Sequence, residues 1–68
     1  MSDIRVTLKT GEVVEAAVDT GKSAVEVFNE LKSFMANLDI DENFTFDLNS
    51  GTTVRHGAIA AAELLAIR

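Results

Sequence analysis

Gly57-Ala58-Ile59-Ala60-Ala61-Ala62-Glu63-Leu64-Leu65-Ala66-Ile67-Arg68 is the stretch whose reading decides the fold. Between its first and last residues the only charge is Glu63. A segment with so little polar surface must be buried, against its own domain or against another chain. Two conformations suit it. A helix over 58–67 has high intrinsic propensity, because Ala and Leu are strong helix formers. As a strand, 57–60 forms a bend and 61–67 returns along a sheet, with Ala62, Leu64 and Ala66 on one face. Alanine is a poor strand former, which favours the helix. A short sheet needs its edge covered, which favours the strand. The balance tips slightly to the helix.

Upstream of this tail the pattern is that of a hairpin. Phe44-Thr45-Phe46-Asp47-Leu48 alternates, with Phe44, Phe46 and Leu48 expected inward. Asn49-Ser50-Gly51 is a turn, and Thr52-Thr53-Val54-Arg55-His56 is the returning strand. The loop before it, Asp39-Ile40-Asp41-Glu42-Asn43, is acidic. Before that, Ser23-Ala24-Val25-Glu26 has the form of a capping box. The Ser23 hydroxyl can accept a free backbone N–H, and Glu26 suits the positive end of the helix dipole. The spacing predicts a helix over 24–38. Its apolar face carries Ala24, Val27, Phe28, Leu31, Phe34, Met35 and Leu38.

The chain starts with another hairpin. Ile4-Arg5-Val6-Thr7-Leu8-Lys9 alternates strictly, Thr10-Gly11 turns, and Glu12 to Val18 returns. Val14, Ala16 and Val18 are expected inward and Val13 outward. The expected fold is therefore an α+β domain of order β-β-α-β-β, with one helix across one face of an antiparallel sheet. The tail adds either a short helix or a closing strand. The other sheet face would carry Arg5, Thr7, Val13, Ala17, Thr45, Thr53 and Arg55, a mixed surface suited to pairing. The order is loosely similar to that of ubiquitin-type domains. The end Leu65-Ala66-Ile67-Arg68 lacks the Gly-Gly terminus of carrier proteins, so carrier chemistry is not expected.

Sixty-eight residues make one domain. A core of that size supplies about 3–5 kcal/mol. There is no Cys, so neither a disulfide nor a thiolate metal site is available, and a reducing, cytoplasmic setting is expected. No signal-peptide pattern opens the chain, and no apolar run approaches the ~18 residues of a membrane span. Net charge is -5. Arg5, Lys9, Lys22, Lys32, Arg55 and Arg68 are scattered, and Tyr and Trp are absent, so nucleic-acid binding is not expected.

Ala16-Ala17-Val18-Asp19-Thr20-Gly21-Lys22-Ser23 meets a relaxed phosphate-loop spacing with Ala in place of the first Gly. The strand before it belongs to a hairpin, and the chain is too short for a nucleotide fold. What remains is an anion site at Gly21, Lys22 and Ser23, set against a plain capped connector. Asp39, Asp41 and Asn43 start a calcium-loop spacing, but Phe44 and Ser50 stand where Gly and Glu are required. His56, the only histidine, has no convergent catalytic partner and is expected at the core margin. Phe28, Phe34, Phe44 and Phe46 are expected to form the core rather than a small-molecule pocket. Glu26 and Glu30, with Asp39, Asp41 and Glu42, make one end acidic.

No catalytic residue, metal site or cofactor emerges. The expectation is a non-enzymatic protein-interaction module: a regulator, inhibitor or accessory subunit that docks on a larger protein, with a homodimer as one form of it. Its contact would use Ile59, Leu64, Leu65 and Ile67, with Glu26 and Glu30 on the steering rim. The alternative is a structural subunit that uses the same segment to build a homo-oligomer.

Overall fold

The computed structural model describes residues 2–66. Element order is β1 (Ile4–Leu8), β2 (Val13–Ala16), α1 (Ala24–Ala36), β3 (Thr45–Asn49), β4 (Thr52–Arg55), a 3-10 turn (His56–Ala58) and β5 (Ile59–Leu64). The fold is α+β, as the hydropathy pattern implies. The strands form two antiparallel sheets rather than one: a three-stranded sheet of order β2-β1-β5 and the two-stranded hairpin β3-β4. Helix α1 packs against β5 and β3 and so spans the two sheets. Among the described residues no helix is long and apolar enough to cross a membrane.

The tail is a strand and not a helix. It pairs with β1 from Ile4↔Leu64 to Leu8↔Ile59. Without it, the second edge of β1, at the centre of the sheet, would lie in the interior unpaired. An unsatisfied buried backbone group costs about 1–3 kcal/mol. Several such groups outweigh a propensity scale that spans only about 1 kcal/mol. The register shifts between Thr7 and Leu8, so Ala60 is an extra residue on β5. The bulge changes the parity of the strand. Ile59 therefore shares the inner face with Ala62 and Leu64, although an unbroken alternation would place it outside.

The core contains Ile4, Val6, Ala16, Val27, Leu31, Leu48, Val54 and Ile59. Val14, Val18, Phe28, Phe34, Met35 and Phe46 pack around it. Val13 is 50% exposed on the outer face, as the alternation requires. On that face Arg5 lies between Glu15 (2.8 Å) and Glu63 (3.1 Å), one carboxylate from each flanking strand. Glu15 draws the Arg5 guanidinium above its ordinary range, and Arg5 holds the Glu15 carboxyl below its own. Thr45, Thr53 and Arg55 belong to the other sheet, so the expected single open face is divided between two.

Buried Asp3 closes one end of the three-stranded sheet. Its N–H donates to the Ala16 carbonyl (2.9 Å), and its carbonyl accepts from Leu65 N–H (2.7 Å). Its Oδ2 accepts from Val18 N–H at 2.8 Å. One residue thus joins the start of β1 to the ends of β2 and β5.

Two expectations at the far end of α1 fail. The helix stops at Ala36, because Asn37 leaves helical geometry and its Oδ1 accepts from Asp39 N–H at 3.0 Å. An Asn side chain that bonds the backbone ahead competes with helix continuation. Leu38 thereby loses the core face and is 89% exposed. Phe44 is not in β3: its N–H donates to the Asp41 carbonyl (3.0 Å), closing a turn before the strand starts. It is 64% exposed.

Candidate interaction surface

Of the expected contact residues in the tail that lie among the described residues, Ile59 and Leu64 turn inward and only Leu65 is exposed. Ile59 is 7% exposed and belongs to the core. Leu64 is partly buried and packs against the same core. Leu65 is 36% exposed at the margin. Ile67 lies outside the described residues. Burial of this segment is satisfied within the chain, by β1 and the core beneath it.

The connector after β2 gives the Lys22 and Ser23 side chains partners within the chain. Lys22 Nζ meets the Glu30 carboxylate at 2.9 and 3.1 Å, and Glu30 holds the ammonium above its usual range. Ser23 Oγ accepts from Glu26 N–H at 3.1 Å and caps the helix. Gly21 adopts a positive φ of 82°, which serves the turn. Asp19 clamps the second hairpin: Oδ1 accepts from Ser50 N–H (2.9 Å) and Oδ2 from the Ser50 hydroxyl (2.6 Å). These bonds hold the Asp19 carboxyl below the ordinary range. Asn49 Nδ2 adds a bond to the Ala17 carbonyl at 2.8 Å. The phosphate-loop spacing is used to cap a helix and to fix one hairpin to the other.

The aromatic residues divide. Phe34 and Phe46 are tilted rings 5.4 Å apart, and His56 meets Phe34 edge-on at 4.9 Å. This is a core margin, as expected for His56. Its Nε2 is buried without a hydrogen-bond partner. Lys32 Nζ lies 5.5 Å over the Phe28 ring. Phe44 stands apart in the loop.

The loop from Asn37 to Phe44 carries the two most exposed large apolar residues, Leu38 and Phe44. Two Asx turns shape it. Asn37 Oδ1 accepts from Asp39 N–H, and Asp41 Oδ1 accepts from Asn43 N–H at 2.8 Å. Its far end is fastened to the 3-10 turn. Gly57 N–H donates to the Glu42 carbonyl at 2.8 Å, and His56 N–H to the Phe44 carbonyl at 2.7 Å. A Cβ at position 57 would lie 2.6 Å from Glu42 Cβ, so only glycine allows this approach. Arg55 Nη1 donates to Asn43 Oδ1 at 3.2 Å. The result is a braced loop that holds Leu38 and Phe44 in solvent beside Asp39, Asp41 and Glu42. Glu26 lies in the first turn of α1, away from the loop that follows its last turn, and Glu30 is paired with Lys22. The expected single acidic end is therefore not formed, and the acidity beside Leu38 and Phe44 comes from the loop itself. No group of His, Asp or Glu among the described residues is placed to hold a metal ion.

Sequence reasoning found the acidic residues but placed Leu38 and Phe44 in the core. Asn37, a helix-stopping residue directly after Ala36, was the available signal. It also missed a cleft of about 410 Å³ between the first hairpin and β4, bordered by Leu8, Val14, Thr53, Val54 and Arg55. Comparison with family models, characterised proteins and solved structures finds no match for this chain.

Proposed function

We propose that this chain is a small non-enzymatic protein-interaction module that docks on a larger protein through the loop from Asn37 to Phe44. The observation that carries the reading is the exposure of Leu38 (89%) and Phe44 (64%) in a braced, acidic loop. A scattered exposed Leu is ordinary on a protein surface, whereas two large apolar side chains held out by one braced, acidic loop suit a contact site. Apolar anchors inside a charged rim are the usual anatomy of an interface. The bracing limits the ordering entropy that docking costs. Asp39, Asp41 and Glu42 would steer the loop to a basic-rimmed apolar pocket on the partner.

The test is capture from source lysate with tagged wild type, Phe44→Ser and Leu38→Asp, at low and high salt. The reading expects one stoichiometric partner, lost in both variants and weakened by salt. Capture that is indifferent to both substitutions would move the contact elsewhere. Recovery of the protein itself, with a doubled native mass, would support the self-assembling subunit instead.

A further inference from the structure

Strands β2 and β4 run past each other between two fixed points. At one end Asn49 and Ser50 bond Ala17 and Asp19. At the other, Lys9 N–H donates to the Ala58 carbonyl at 2.8 Å. The two strands do not pair. The cleft of about 410 Å³ lies between their hairpins, within the range of about 300–1,000 Å³ typical of ligand-holding clefts.

Thr53, Val54 and Arg55 all border this cleft. Successive strand residues point to opposite faces, so three in a row meet one cavity only along a strand edge. The ladder gives the same answer. His56 N–H bonds the Phe44 carbonyl, so 44 and 56 are a hydrogen-bonded pair. Such pairs alternate in an antiparallel ladder. Phe46↔Val54 is the next bonded pair, and Thr45↔Arg55 and Asp47↔Thr53 are not. The backbone N–H and C=O groups of Thr53 and Arg55 therefore turn away from β3, toward the cleft.

The cleft floor is apolar, with Leu8, Val14 and Val54. Its rim places Lys9 and Arg55 against one carboxylate, Glu12. This is a local excess of positive charge on a chain of net charge -5. Arg5 and Lys22 are paired with carboxylates, and Lys32 lies over Phe28, so they do not contribute here. Glu42 borders an adjoining small hollow that shares Arg55 and Gly57 with the cleft.

We propose that this cleft receives an extended peptide segment of a partner protein, added as a strand along the free edge of β4. Main-chain bonds would form at Thr53 and Arg55. An apolar side chain would rest on Leu8 and Val14, and a carboxylate would lie between Lys9 and Arg55. The proposal concerns a different surface from the Leu38–Phe44 loop and does not depend on it.

The probe is the pentapeptide acetyl-Val-Val-Glu-Val-Thr-amide, titrated into isotope-labelled full chain and followed by amide NMR shifts. Saturable shifts at Thr53, Arg55 and Leu8 are expected, with a Kd of about 1 mM or tighter. The same peptide with Lys for Glu should bind at least about tenfold more weakly. A backbone N-methylated version should lose binding. Thr53→Pro removes an N–H that points into the cleft and breaks no bond to β3, so it should weaken the peptide while other resonances stay in place. Phe44→Ser should leave the titration unchanged. No saturable shift at several millimolar peptide would overturn the proposal. So would an N-methylated peptide that binds as well as its parent, or shifts confined to the outer face around Arg5.

Discussion

Two regions of this chain exchange the roles that composition assigns them. The tail from Ile59 to Leu64 is the most apolar stretch, yet Ile59, Ala62 and Leu64 are covered by the chain itself and only the small side chains of Ala60 and Ala61 face outward. The loop from Asn37 to Phe44 is polar and acidic, yet it carries the most exposed large apolar residues, Leu38 and Phe44. Apolar content measures what must be covered somewhere. Only topology decides whether the same chain does the covering. β1 needed a second neighbour and took the tail. The helix stopped two residues early, at Ala36, and what followed was left outside.

The largest expected effect lies in the tail. Ile59→Ala removes a buried side chain from the core and should cost about 2–5 kcal/mol. In a domain of about 3–5 kcal/mol total stability, urea unfolding should show most or all of the transition lost. A small effect would mean that β5 is only loosely held, and the comparison would fail at its first member.

Gly57→Ala comes next, because it strikes the seam between the two regions. The new Cβ would meet Glu42 Cβ and main chain, neither of which is a flexible end. The expected cost is about 1–3 kcal/mol by thermal unfolding, as for other overpacked sites. A neutral result would show that the loop is not braced against the 3-10 turn.

A smaller effect is expected from pH. The folded-state carboxyls of Asp19 and Glu15 are held below their ordinary range by Ser50 and Arg5. Their contribution to stability is present above the unfolded values, about 3.9 for Asp and 4.3 for Glu. It is lost as the pH falls through the lowered folded values, because below those both states bind the proton. Melting temperature should therefore drop on acidification below about pH 5, and Asp19→Asn should flatten part of that slope. An unchanged slope would remove the Asp19–Ser50 clamp from the account.

The smallest effect on stability belongs to the loop. Phe44→Ser should shift the unfolding free energy by about 0.5 kcal/mol or less, as at other exposed positions. Its consequence should appear in partner binding instead.

Much of this was legible in the chain. The period-two runs at Ile4–Leu8 and around Phe46 and Leu48 located β1 and β3, and Ser23 with Glu26 marked the start of α1. These signals are local, and the structure needed nothing distant to honour them. The failures were long-range. Helix propensity in 58–67 was outweighed by the open edge of β1, which lies far away in sequence. The bulge at Ala60 was invisible to any pattern of alternation, and so was the inward turn of Ile59.

 The pairing that creates it, with Ala60 as the extra residue, exists only once β5 meets β1. Asp3 gave no warning either, since an Asp before a strand is ordinary until three segments converge on it.

The same division holds for the candidate surface. Its acidic residues were readable from composition. The exposure of Leu38 and Phe44 was not, because an apolar residue two positions beyond a helix, or one position before a strand, continues either pattern. Asn37 and Asp41 break both patterns with side-chain bonds to the backbone ahead of them.

The most direct test is equilibrium urea unfolding of Leu64→Asp beside Leu38→Asp, with both compared to wild type. Leu64 packs against the core and Leu38 does not. The account expects no cooperative transition for Leu64→Asp, because an unpaired charge at the core is not tolerated in so small a domain. It expects Leu38→Asp to unfold within about 0.5 kcal/mol of wild type. A folded Leu64→Asp, or a loss of more than about 2 kcal/mol in Leu38→Asp, would contradict it.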